Sequence, residues 1–290
     1  MYSAKSTGRR RVVYEEEMGA RALERLRLEH DLRRAVEDPA RGGFQLHYQP
    51  KLDLATGEIT GIEALLRWRH HELGNVPPAE FVPVAEEMGL IVPLGEWVLR
   101  EACRCAREWR ELRPSSPPVV SVNLSGRQLR QEDLVQRVAR ILEEEDLPPN
   151  VLSLEITESL IVEHLLDKLR DLKSLGIGLE IDDFGTGYSN FSYLSRMPID
   201  VLKIDRSFLG DLAENPEARK VVGGIVDLAR QLSLLTIAEG IETTDQLDAL
   251  RALGCELGQG YLFSRPVPAG EIPPLLAPDP GTGEPGPPPS

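Results

Sequence analysis

Asp182 and Asp183 stand side by side after Leu179-Glu180-Ile181, and Gly185 and Gly187 follow at once. Adjacent carboxylates repel one another unless a cation lies between them. A hard divalent metal is the simplest neutraliser, because it prefers oxygen ligands. A solvated Asp-Gly turn is the alternative, but it normally follows a polar segment. Here Leu179 and Ile181 form one face of a strand, with Glu180 and Asp182 on the other. The glycines then take the chain out of that strand through a tight loop.

Such a pair does chemistry only if other elements bring ligands to it. From Phe44 to Pro50 the pattern predicts a strand, Ala55-Thr56-Gly57 a turn, and Ile59 to Trp68 a second strand, antiparallel because the connection is so short. Strands and helices alternate thereafter, with strands near 119–123, 151–156, 178–182, 200–204, 236–239 and 257–262. Ser125 with Gln128 reads as a capping box before a helix with apolar Leu134, Val138, Ile141 and Leu142. Asn215-Pro216 caps a helix carrying Val221, Ile225, Leu228 and Leu232. Thr243 with Gln246 caps another that stops at Gly254. Eight strands over about 220 residues predict an α/β fold, a modified (β/α)8 TIM-type barrel with an antiparallel first strand. An open doubly wound sheet is the weaker alternative.

In such a barrel, chemistry collects at the C-terminal ends of the strands. Glu63 lies within the second strand, Asn123 ends the third, Glu155 the fourth, and Asp182 and Asp183 the fifth. Lys203 and Asp205 end the sixth, Glu239 and Glu242 close the seventh, and Gln259 lies at the eighth. Taken singly, Asn123 reads as a turn residue and Glu242 as a first-turn helix charge. Together they predict one rim of carboxylates with an amide and a lysine. Oxygen donors without histidine or cysteine suit magnesium or manganese and argue against zinc. Two such ions bridged by a shared carboxylate would clamp a phosphodiester and activate water. Lys203 would stabilise charge on the attacking or leaving oxygen. The residues therefore describe a metal-dependent hydrolase of phosphate esters.

The chain has 290 residues and a formal net charge of −14, which leaves no basic footprint for a nucleic-acid polymer or an anionic membrane. Cys103, Cys105 and Cys255 form neither zinc spacing nor an even disulfide framework, so a reducing, cytoplasmic setting is expected. Cys105 fits the apolar stripe Leu94, Val98, Ala102, Trp109, Leu112. No apolar run reaches membrane-spanning length. Residues 15–39 read as a charged linker or dimerising helix, 40–275 as the catalytic domain, and 276–290 as a disordered Pro/Gly-rich tail.

The motifs resemble those of the EAL-domain phosphodiesterases of cyclic di-GMP. They are Tyr48-Gln49-Pro50, Glu63-Ala64-Leu65-Leu66-Arg67, Asn123-Leu124-Ser125, Glu155-Ile156-Thr157-Glu158-Ser159, Asp182 to Ser189, Lys203-Ile204-Asp205, Glu239-Gly240-Ile241-Glu242 and Gln259-Gly260. The resemblance implies that Glu63, Asn123, Glu155 and Asp182 hold one ion, and that Asp182 bridges to a second that Asp183 helps bind. Glu239 would be ligand or base, and Lys203 would contact the water or the phosphate. Gln49, Leu65, Arg67, Asp205, Glu242 and Gln259 would line the substrate site. Glu158 would anchor the Asp183–Ser189 loop, which in this family links the dimer interface to the metals. It further implies two magnesium or manganese ions, inhibition by calcium, a linear pGpG product and a homodimer. Many EAL domains instead serve as non-catalytic cyclic di-GMP receptors, but these usually lack a ligand or the Lys/Glu pair, and none is missing here. Residues 1–14 resemble the closing segment of a GGDEF domain. That would make the chain the C-terminal part of a tandem protein, one that could be tethered to a membrane through its N-terminal region. Two departures stand out. Asn190 replaces a usual serine, and Glu180 places an extra carboxylate beneath the metal site, where it must raise a pKa or find a polar partner.

Overall fold

The computed structural model describes residues 23, 25–160, 165–185 and 194–277. The expectations for residues 1–14, for the tail beyond 277, for Asn190 and for loop residues 186–189 lie outside the described residues. Two compact units emerge. Among the described residues, one comprises those up to Gln45 together with Leu66–Gly95, and the other Leu46–Leu65 together with those from Glu96 onward.

The sheet has strands β1 (Phe44–Asp53), β2 (Ile59–His70), β3 (Gly74–Val76), β4 (Val119–Asn123), β5 (Leu152–Thr157), β6 (Gly178–Phe184), β7 (Val201–Ile204), β8 (Leu235–Ala238), β9 (Leu257–Gly258) and β10 (Val267–Pro268). Eight of them close into a barrel, in the order β1-β9-β8-β7-β6-β5-β4-β2 and back to β1. Neighbours from β2 to β9 are parallel. β1 alone runs antiparallel, against β9. The expected modified barrel is therefore the observed fold. Its β1–β2 connection is held by Asp53, whose Oδ1 accepts the Ala55 and Thr56 main-chain N–H groups at 2.9 and 2.8 Å. Gly57, at φ 76°, donates to the Asp53 carbonyl at 2.8 Å.

Period-two alternation decides what each strand face does. Leu152, Leu154, Ile156, Leu179, Ile181, Leu202 and Ile204 are buried on the face that packs beneath the helices. Fully burying each such side chain contributes about 2 kcal/mol. The alternate positions point inward and are polar: Glu63, Ser121, Ser153, Glu155, Glu180 and Lys203 are all buried. A barrel interior is ordinarily a packed apolar core. This one is charged.

Local signals position the helices. Both capping boxes form, at Ser125 with Gln128 and at Thr243 with Gln246, and Gly254 closes the latter helix in the left-handed conformation. Asn215 caps Pro216–Gln231 as expected. Three expectations need correction. Ser125 caps only the single turn Gly126–Leu129, and Leu134–Glu144 starts afresh after Asp133. The helix Pro216–Gln231 buries Val222, Ile225, Val226 and Ala229, while Val221 is half exposed. β9 stops at Gly258 because Gln259 to Leu262 turn to bond the Ile241 main chain, and a Cβ on Gly260 would lie 2.1 Å from the Ile241 oxygen.

In the first unit, residues 25–37 are helical. Trp68 stacks on Phe44 at 5.3 Å between ring centroids, meets Phe81 edge-on and donates from Nε1 to the Gly42 carbonyl. His70 Nε2 bonds Asp31 at 3.2 Å. No helix among the described residues is long and apolar enough to cross a membrane.

Candidate active site

The carboxylates converge on one ammonium. Lys203 Nζ, on β7, lies 2.5 Å from Glu155 Oε2, 2.6 Å from Glu239 Oε1, 3.1 Å from Asp182 Oδ1 and 3.7 Å from Glu63 Oε2. The Lys203 side chain is 1% exposed. Register explains the convergence: Asn123 pairs with Glu155 and Glu155 with Glu180, so inward residues of adjacent strands share a layer. Asn123 Nδ2 donates to Glu63 Oε1 at 3.0 Å. Gln259 Nε2 donates to Glu63 Oε2 at 2.6 Å and to Glu239 Oε1 at 3.2 Å.

Asp182 and Asp183 owe their placement to an irregularity. The β6–β7 register shifts between Ile181 and Phe184, and Asp183 adopts φ 56°. A bulge re-aims side chains that strict alternation would send to opposite faces. Left-handed backbone in a non-glycine residue is strain of the sort that accumulates at functional sites. The result is a cluster in which Asp182, Asp183 and Glu239 each offer an oxygen within 4.8 Å of the others. Gly185, at φ 92°, donates its main-chain N–H to Glu158 Oε2 at 2.9 Å.

Electrostatics follow from crowding. Burial raises the Glu239 carboxyl to about 8, because Lys203 only partly offsets burial and the nearby Asp182, Glu63 and Glu155 carboxylates. Burial and then Glu155 raise Glu63 as well. Burial also works to raise Glu155, but Lys203 and Lys51 outweigh it and hold it far below the usual carboxylate range. Asp183 is exposed as a residue, yet partial desolvation of its carboxyl, then Asp182 and Asp205, push it up. The site thus carries more negative charge than its lysines neutralise. An all-oxygen donor set of this kind fits hard divalent cations. The buried Gln259 Oε1 finds no partner among the described residues.

Gln49 Nε2 donates to the Ser264 carbonyl at 3.0 Å. Asp205 accepts the Ser207 N–H as a helix cap. Glu242 is exposed, and its main-chain N–H bonds Gln246. Leu65 is half-buried. Arg67 belongs to the first unit, where its guanidinium donates to the Leu66 carbonyl at 3.0 Å. One residue escaped the sequence reading. Lys51 on β1 is buried and bonds Glu155 Oε1 at 2.7 Å and Glu180 Oε2 at 2.6 Å. Glu180 therefore has the polar partner it needed. The available signal was a lysine immediately after Tyr48-Gln49-Pro50, inside a strand whose neighbours are buried.

Against known proteins, the profile of the EAL domain matches residues 29–266. The chain is 45% identical over 276 residues to the bifunctional diguanylate cyclase/cyclic di-GMP phosphodiesterase MucR of Pseudomonas aeruginosa, covering 94% of this chain and 40% of that protein. It is 41% identical over 272 residues to the cyclic di-GMP phosphodiesterase NbdA of the same organism, covering 92% and 34%. The solved structure of the PaMucR phosphodiesterase in complex with c-di-GMP superposes with a TM-score of 0.80 at 44% identity, covering 85% of this chain and 99% of that one. The chain thus spans well under half the length of these curated relatives.

Proposed function

The chain belongs to the EAL-domain family, and on that premise we propose that it is a metal-dependent phosphodiesterase hydrolysing cyclic di-GMP to linear pGpG. The observation that carries this reading is the convergence of Glu63, Glu155, Asp182 and Glu239 on Lys203, beside the Asp182–Asp183–Glu239 cluster. Glu63, Asn123, Glu155 and Asp182 would hold one ion, and Asp182, Asp183 and Glu239 the second. The spacing of that trio supports Glu239 as a ligand in preference to a free base. Magnesium or manganese, when bound, supplies the positive charge that admits a phosphodiester to an acidic rim and acidifies water.

The chain's own groups do the remaining work. Lys203, itself only 1% exposed, offsets charge that develops on the attacking or leaving oxygen. Gln259 fixes the carboxylates of Glu63 and Glu239 by donating to both. Glu158 fixes the backbone just after Asp183. Gln49, Leu65, Arg67, Asp205 and Glu242 are assigned to substrate binding on their motif positions. A homodimer and a GGDEF–EAL tandem parent belong to the same proposal.

The test is chromatographic separation of cyclic and linear dinucleotide after incubation with magnesium, manganese or calcium in turn. Linear product is expected with the first two. With calcium, whose looser coordination misplaces the attacking water, binding without turnover is expected. Tight binding with no product under magnesium or manganese would replace the enzyme by a receptor.

A further inference from the structure

Lys51 lies on β1, the strand that runs against the rest of the barrel, and its side chain is 3% exposed. An ammonium is not buried without partners that compensate it, so those partners define its role. Burial alone would lower its pKa; Glu155 and Glu180 together more than reverse that, and the amine stays charged. Its contacts divide Glu155 in two: Oε1 meets Lys51 at 2.7 Å, while Oε2 meets Lys203 on the rim side. A carboxylate gripped at both oxygens has its plane fixed, and the oxygen held by Lys51 has one lone pair fewer to offer another cation. Glu180, 5% exposed, meets Lys51 from β6 at 2.6 Å.

Resting on the reading of the rim as a metal site, we propose that Lys51 is a positioning residue for Glu155. By occupying Oε1 it leaves Oε2 alone to face the rim, so Glu155 offers one oxygen in one orientation to a hard divalent cation, while Glu180 holds Lys51 and balances its charge. Magnesium demands near-ideal octahedral geometry, which a pivoting or bidentate carboxylate spoils. Groups that orient a metal-binding side chain typically change metal affinity by about 10- to 100-fold. A merely structural ion pair behaves differently. A buried Lys–Glu pair can be exchanged for apolar residues of similar volume without loss of stability, and the rim would then be unaffected.

The experiment measures Mn2+ binding to the whole chain, without substrate, by titration calorimetry and by electron paramagnetic resonance, alongside thermal melting. Lys51→Met alone strands two buried carboxylates and is expected to melt early. The double variant Lys51→Met/Glu180→Leu therefore carries the test, with Glu180→Gln as the variant that keeps Lys51 on Glu155. The double variant, which leaves only Glu155 Oε1 without its partner, is expected to melt above Lys51→Met yet bind Mn2+ about 10- to 100-fold more weakly than the parent, and Glu180→Gln to stay within about threefold of the parent. Parent-like Mn2+ affinity in the double variant would reduce Lys51 to a structural counter-ion. A loss in Glu180→Gln as large as in the double variant would remove Lys51 as the orienting group. Failure of the parent chain to bind Mn2+ at all would overturn the metal reading itself, an outcome distinct from both.

Discussion

Replacing Glu158 with alanine removes the carboxylate that accepts the Gly185 N–H at 2.9 Å. Gly185 follows two residues after Asp183, and both have positive φ, 92° and 56°. For Asp183 that conformation costs about 1–3 kcal/mol and persists only while its surroundings impose it. A hydrogen bond to a charged acceptor contributes about 1.5–3 kcal/mol, and the exposed position of this one places it at the lower end. Losing about 1.5 kcal/mol is comparable to the strain it opposes, so the Asp183 backbone is free to relax and its carboxylate to leave the cluster. Transmitted fully to the ion that Asp183 is proposed to help hold, 1.5 kcal/mol is about a tenfold loss of affinity. Glu158 is not among the carboxylates around Lys203, so saturating metal should restore the chemistry. Initial rates of cyclic di-GMP hydrolysis across a magnesium series measure both quantities. The expected result is a half-saturating concentration raised about tenfold, with a maximal rate within about twofold of the parent. A rate that magnesium cannot restore would give Glu158 a direct catalytic part, and an unchanged magnesium curve would break the link from Glu158 through Gly185 to Asp183.

Four further outcomes follow from the same geometry. Glu63→Ala unseats Asn123 and Gln259 together and should cut turnover at least about a hundredfold while circular dichroism shows the fold intact. Glu239, raised from 4.5 to about 8, keeps its proton in the metal-free folded protein across that window. Mn2+ uptake must expel that proton, so affinity should climb with pH, by at most about tenfold per unit, and level off above about 8 in calorimetric titrations. The same proton makes the metal-free protein lose stability as pH rises through the window, which melting at a series of pH values would show. Gly260→Ala drives a Cβ into the Ile241 main chain and should cost about 1–3 kcal/mol, read as a lowered melting temperature, with activity lost as Gln259 shifts.

The sequence discloses most where a signal is local. The capping residues Asn215 and Thr243 and the left-handed Gly254 need only their own helices and act as read, whereas Ser125 forms its capping box on a single turn and not on the helix through Leu134. Period-two alternation likewise exposes the inward residues, because the parallel register brings them into one layer. It is less decisive where two patterns compete. Between Pro216 and Gln231 the stripe through Val221 and Leu228 is as regular as the one through Val222 and Val226, and only packing on the strands selects the second. The bulge at Asp182–Asp183 breaks alternation and could not be derived from it. Lys51 is the most telling omission. A strand lysine reads as solvent-facing until its two carboxylates, more than a hundred residues away in sequence, are seen beside it.

The reversed direction of β1 has a practical consequence. The turn joining it to β2 leads into the start of β2, whereas Glu63 and the other rim residues lie toward the ends of the parallel strands. Residues 55–58 are all exposed, and a Cβ on Gly57 would meet nothing within 4 Å. Exposed loop tips are where chains best accept added sequence. A peptide tag or small reporter domain spliced between Thr56 and Gly57 would therefore sit at the far end of the barrel from the acidic rim, giving a handle for immobilisation or distance labelling that leaves that rim clear.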